Sequence, residues 1–147
     1  MNLESYEIKA SSSLMEYKFI SSGKKGLIIK VVQYSPTEMP GVYNIGYGDL
    51  DVKTGAILDS VISDNGDSHK VLATVAGTVL RFFEHYHLAR VFAVGATKSR
   101  TRLYQIGISN NLEEIQRQLI VYGLKSGKWV EFERNQNYEA FLVRKKQ

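Results

Sequence analysis

Over residues 6–61, apolar and polar side chains alternate in short runs broken by turn residues, which predicts strands of an antiparallel meander. Residues 14–20 and 27–34 flank the glycine-containing stretch 22–26, a connection suited to closing a hairpin. Pro36 and Pro40 interrupt the pattern. It resumes over 42–51, where Val42, Asn44, Gly46, Gly48 and Leu50 fall on one face and Tyr43, Ile45, Tyr47, Asp49 and Asp51 on the other, stickier one. Turn chemistry over 51–55 predicts a return strand over 56–61.

The period then changes. Leu72, Val75, Ala76, Val79, Phe83 and Tyr86 recur at three- and four-residue spacing and predict a long amphipathic helix. The stretch 63–67 before it offers N-cap side chains and negative charge for the positive end of the helix dipole. Gly77, in mid-helix, is expected to mark a close approach to the sheet. Residues 90–95 and 102–108 read as neighbouring strands joined by the polar stretch 96–101. A second, shorter helix is expected from Asn111, with Glu114 completing a capping box, Leu112, Ile115, Leu119 and Tyr122 as its apolar stripe, and Gly123 ending it at positive φ. Residues 129–133 and 138–144 read as a final hairpin about a turn at 135–137. The expected fold is α+β: a curved, antiparallel meander sheet covered by one long and one shorter helix, in a single domain over residues 1–147.

Composition narrows the chemistry. The 147 residues include no cysteine, which removes thiol nucleophiles, disulfides and cysteine-based metal centres. No run approaches the roughly 18 apolar residues of a membrane span, so a cytoplasmic protein with no membrane partner is expected. The formal net charge is +4, a mild bias toward polyanions. It is uneven: Lys98, Arg100 and Arg102 lie within five residues, and Arg144, Lys145 and Lys146 form a cluster read as a solvated tail.

The blocks YKFISSGKKGLI, VYNIGYGDLD, ISDNGDSHKVLATVAGTV, GATKSRTRLYQIGI and NYEAFLVRKK, taken together, give the chain a resemblance to a family of small bacterial proteins known as a domain of unknown function. It spans nearly the whole length and brings no established activity or ligand. The first half is more distantly similar to the Whirly and PC4 type of single-stranded-DNA-binding fold, in which a four-stranded curved sheet precedes a helix. The second half departs from that plan at the helix expected from Asn111.

In an extended chain Arg100, Arg102 and Tyr104 share a face, with Lys98 beside them, so guanidinium groups can grip phosphates while Tyr104 offers a stacking surface. The competing reading pairs Arg100 and Arg102 with Asp49, Asp51 or Asp67 in structural ion pairs. Asp59, Asp64, Asp67 and His69 could hold Mg²⁺, although the types Ser, Asp, Asn and Gly there are those of a turn and helix cap, and no metal is expected. Asp49 and Asp51 resemble the paired aspartates of nucleotidyl transferases, without the glycine-serine signature that should precede them. His85 and His87 flank Tyr86 where imidazole can cap a helix C-terminus. No nucleophile elbow, phosphate loop or dinucleotide fingerprint occurs, so no cofactor is expected. Tyr34, Tyr43, Tyr47 and Tyr104 would mark a binding face or a homodimer contact if exposed. Three functions follow. The first is a non-enzymatic binding protein for single-stranded nucleic acid, using a basic, tyrosine-bearing sheet face with Lys98, Arg100, Arg102 and Tyr104. The second is a protein-interaction or homo-oligomeric module. The third is a small toxin-like, RNA-directed enzyme using Arg100, Arg102 and His69 or His85.

Overall fold

The computed structural model describes residues 5–58 and 63–147. The elements run β1 (Lys9–Ala10), β2 (Glu16–Gly23), β3 (Gly26–Pro36), β4 (Val42–Leu50), β5 (Ile57–Leu58), α1 (Ser68–His85), β6 (Arg90–Ala93), α2 (Lys98–Asn110), α3 (Leu112–Gln118), β7 (Leu119–Lys125), β8 (Lys128–Glu131) and β9 (Phe141–Lys145). They build one mostly antiparallel sheet in the order β1-β2-β3-β4-β6-β9-β7-β8, with β5 on the far end of β4, and three helices. The meander is as expected: β2 and β3 pair from Glu16↔Gln33 to Gly23↔Gly26, and β3 and β4 from Lys30↔Asp49 to Pro36↔Tyr43. The expected return strand is short within the described residues, and 59–61 lie outside them.

One pair is parallel. β4 and β6 match Val42↔Arg90, Tyr43↔Val91 and Asn44↔Phe92, joined through α1. A helical crossover is what parallel neighbours need, since a tight turn cannot reverse the chain twice.

α1 forms as its stripe predicts. Val71, Leu72, Val75, Ala76, Phe82 and Phe83 are buried against Tyr17, Val32, Tyr34, Ile45, Val91 and Val143 of the sheet. Tyr34 stacks on Phe82 with centroids 4.2 Å apart and makes a 2.9 Å hydrogen bond with the Thr78 hydroxyl, which itself donates to the Val75 carbonyl. Gly77, however, is not a close approach: an added Cβ would meet nothing within 4 Å. It therefore costs the helix about 1 kcal/mol relative to alanine without a packing return.

The stretch 63–67 clips the first hairpin rather than capping α1 with a side chain. Asn65 Nδ2 donates to Ser21 Oγ and to the Gly26 carbonyl, both at 3.0 Å, and Oδ1 accepts from Lys25 N at 2.6 Å. Asp67 holds the N-cap position, but its carboxylate accepts from the Tyr6 and Ser21 hydroxyls at 2.5 Å each.

The second half departs further from expectation. Residues 102–108 are not a strand: α2 runs through them, started by Thr97, whose side chain accepts from Arg100 N at 3.2 Å. α3 stops at Gln118 and the chain turns extended, so Leu119 and Tyr122 belong to β7. The capping box does not form, because Asn111 Nδ2 donates to the Gly107 carbonyl at 2.8 Å. Gly123 has no positive φ; it is needed because the Tyr138 ring lies on it, and an added Cβ would stand 2.6 Å from two ring atoms. The final hairpin is replaced by another, β7–β8, closed by Ser126 (φ 51°) and Gly127 (φ 76°), the two left-handed positions of a tight hairpin turn. β9 instead inserts between β6 and β7.

Two buried tyrosines make stability depend on alkaline pH. Burial pushes the Tyr17 hydroxyl up to about 12, and burial raises Tyr34 well above its ordinary value. In the unfolded chain both titrate near 10. The folded state thus keeps protons that the unfolded state releases, and the stabilisation present below pH 10 drains away as pH rises toward 12. The expected urea midpoint is flat from pH 8 to 9.5 and falls above 10, less steeply in Tyr17→Phe; a midpoint unchanged at pH 11.5 would contradict this.

Candidate functional site

α2 divides the four residues singled out in the sequence. On a helix, positions 100 and 104 share a side, and 102 lies about 200° around from 100. Arg100 and Tyr104 therefore turn inward, 5% and 9% exposed. Arg100 donates from Nη2 to the Tyr47 carbonyl and sets its guanidinium 4.4 Å over the Tyr47 ring, a buried cation–π contact. Tyr104 donates to the Ile45 carbonyl at 3.2 Å. Burial raises the Tyr47 hydroxyl pKa, and Arg100 pulls it partly back. The expected shared face of Arg100, Arg102 and Tyr104 is thus corrected: Arg100 and Tyr104 bolt α2 to β4. Lys98 and Arg102 stay exposed and line a cleft with Thr97, Gln105 and Asn137.

The acidic candidates are engaged elsewhere. Asp49 accepts from Lys30 Nζ and from the Ser63 hydroxyl, a buried charge pair rather than a partner for Arg100. Asp51 accepts from Lys53 N at 3.0 Å in a turn. Asp64 pairs with Lys24 at 3.5 Å and accepts from Gly66 N, which with Lys24 lowers its pKa. Asp59 lies outside the described residues. Among the described residues no group of three or more His, Asp or Glu side chains converges as a metal site requires. His69 meets Asn110 at 3.2 Å, and the His85 ring packs on Tyr86. These two histidines sit at opposite ends of α1, about 24 Å apart along its axis, while Arg100 is turned inward onto Tyr47. Tyr34 and Tyr47 are buried and Tyr43 half-buried, placing the tyrosines of the first half under the helices.

The other face of the sheet is different. All three helices pack on the side that carries Ile45, Val91, Ala93, Val121 and Val143. Strand alternation sends Arg90, Phe92 and Val94 to the opposite side, together with their neighbours Asn44, Leu142 and Arg144. Tyr122 and Trp129 continue this row, because Tyr122 pairs with Leu142 and Trp129 with Leu124 two residues on. Phe92 and Trp129 meet edge to face, centroids 6.0 Å apart at 79°, with Trp129 42% exposed. Arg144 lies 5.9 Å over the Tyr122 ring and donates from Nε to its hydroxyl at 3.3 Å, so it is a strand residue of this face and not part of a solvated tail. Arg90 is exposed beside it, opposite Arg144 across the β6–β9 pair. Val94 lines both this face and the Lys98–Arg102 cleft, so the two meet there.

Sequence reasoning missed Phe92, Tyr122 and Trp129. The four-residue alternation of β6, Arg90 and Phe92 out, Val91 and Ala93 in, is its one local signal. No helix of the described residues is long and apolar enough to cross a membrane. Compared with curated proteins and with solved structures, the chain matches none. Over residues 2–146 it matches the family of unknown function DUF6934, and it belongs to that family.

Proposed function

We propose that this protein is a non-enzymatic binder of single-stranded nucleic acid, and that the strand lies across the open sheet face. The observation that carries the reading is the half-exposed Phe92–Trp129 pair on a helix-free face, flanked by Arg90 and Arg144. Exposed aromatic faces take unstacked bases, at about 1–3 kcal/mol each, and guanidinium groups take the phosphates between them. Lys98 and Arg102, on α2 in a cleft that reaches Val94, extend the basic track past the end of this face, in keeping with a formal net charge of +4. A duplex hides its bases in the stack and is expected to bind more weakly.

Fluorescence anisotropy with labelled single- and double-stranded oligonucleotides at 50 and 200 mM salt tests this. Arg90→Gln with Arg144→Gln is expected to lower single-strand affinity about tenfold and to flatten the salt dependence by about 0.7 for each phosphate no longer neutralised. Trp129→Ala should cost about 1–3 kcal/mol of binding at either salt. Absence of saturable binding at 50 mM salt, or wild-type affinity in the double arginine variant, would remove the reading.

A second reading rests on β8. All four of its residues are exposed and, among the described residues, one of its edges is unpaired in the sheet order, so a second copy could add there by strand pairing. Light scattering that reads a concentration-independent monomer would dismiss that homodimer, and a dimer abolished by Glu131→Pro, whose N–H points away from β7, would establish it.

A further inference from the structure

We infer that the cleft above Gly46 is a seat for a single nucleobase carrying an exocyclic amino group, which would give the open face a base preference; the inference rests on the strand-binding reading above. The cleft has a volume of about 710 Å³, within the range of small-molecule sites. Gly46 forms its floor, and nothing lies within 4 Å of where a Cβ would be. Gln33 stands directly opposite Gly46 on β3, and Glu16 opposite Gln33 on β2. Asn44, two residues along β4, faces Phe92 across the parallel pair. Residues 55–57 overhang the other side.

The polar side chains of Glu16, Gln33 and Asn44 hydrogen-bond no other described residue, so three groups converge on one hollow with their capacity unspent. Their chemistry selects the occupant. Two carboxamides offer donors and acceptors together, which matches the edge of a base. A carboxylate only accepts, so it repels phosphate and favours an amino N–H over a carbonyl. Phe92 supplies the apolar wall that a planar ring needs. Adenine, cytosine and guanine satisfy this set; uracil and thymine offer a single donor, N3–H, flanked by two carbonyl oxygens that the Glu16 carboxylate repels.

The test compares labelled 12-mers of adenylate, cytidylate and uridylate, alongside the mononucleotides AMP, CMP and UMP followed by amide chemical shifts of β3 and β4. The expected result is a preference of roughly tenfold for the amino-bearing oligomers over oligouridylate. Gly46→Val, which fills the floor from a Cβ that meets nothing within 4 Å, should bring those oligomers down to the oligouridylate value. Glu16→Gln, a surface change that keeps shape, should narrow the preference without that loss of space. Oligomers that bind equally, or a preference that survives both variants, would overturn the seat and leave strand binding standing. If no oligomer binds but AMP and CMP shift the cleft resonances and UMP does not, the seat stands and the strand reading falls. Silence from oligomers and mononucleotides alike would overturn both.

Discussion

Replacing Asp49 with alanine is expected to lower the stability of the protein by about 3–5 kcal/mol, a large share of the roughly 5–15 kcal/mol of an ordinary domain. Lys30 lies on β3 directly opposite Asp49 and is 5% exposed, so its ammonium sits away from water with the Asp49 carboxylate as its ion-pair partner. Removing the carboxylate also strips the Ser63 hydroxyl of its acceptor. The penalty is chiefly the cost of a stranded charge, not the attraction of the pair, and this makes a clear second test. Lys30→Met added to Asp49→Ala should recover most of the loss, because no charge remains to be solvated. Urea unfolding of the two single variants and the double variant measures this; Asp49→Ala within 1 kcal/mol of the parent would contradict it.

Gly95→Ala is expected to cost about 3 kcal/mol, the upper end of overpacking penalties. An alanine Cβ there would collide with Arg100 Cβ and Thr101 N, and would stand 2.6 Å from the Arg100 carbonyl carbon. These atoms belong to the first turn of α2, which cannot yield as a flexible side-chain tip would. Thr101 N donates to the Thr97 carbonyl at 3.0 Å, and Gly95 N to Thr101 Oγ1 at 2.9 Å, so strand end and helix start are tied into one knot. To admit the methyl, α2 must lift from β6, drawing Arg100 off the Tyr47 ring. The expected signature is a lowered urea midpoint together with weakened near-ultraviolet tyrosine dichroism, and a cost below 0.5 kcal/mol would show that the junction has slack.

These two positions also explain what could be read from the chain and what could not. α1 was legible because its 18 residues repeat one apolar stripe over five turns, and the β2–β3 hairpin because its alternation meets a glycine turn. α2 was not, because its buried positions are Arg100, Tyr104 and Gly107. A charge, a polar-tipped ring and a glycine form no apolar stripe, while Thr101, Tyr104, Ile106 and Ile108 carry strand propensity. The join at Gln118–Leu119 misled for the opposite reason: Leu112, Ile115, Leu119 and Tyr122 keep helical spacing across a boundary where helix becomes strand. The parallel β4–β6 register leaves no mark in local pattern at all. Arg100 was visible as a functional candidate through its charge, and the structure turns that charge inward. Phe92, Trp129 and Arg144 were invisible as a group because four strands, β6, β9, β7 and β8, must be laid side by side before they share a face.

The position of β9 bears on how the chain is made. The last strand in sequence is an inner strand of the sheet, with β6 on one side and β7 on the other. As the chain leaves the ribosome, the meander, α1 and β6 can assemble early, and the β7–β8 hairpin can form by itself, but no strand joins the two parts of the sheet until Phe141–Lys145 arrives. Until then both flanking strands expose unpaired backbone, the condition under which strands recruit the wrong partner. A protein cut before Phe141 would be left permanently in that state, so any change that keeps Phe141–Lys145 out of the sheet is expected to yield aggregate in place of folded protein.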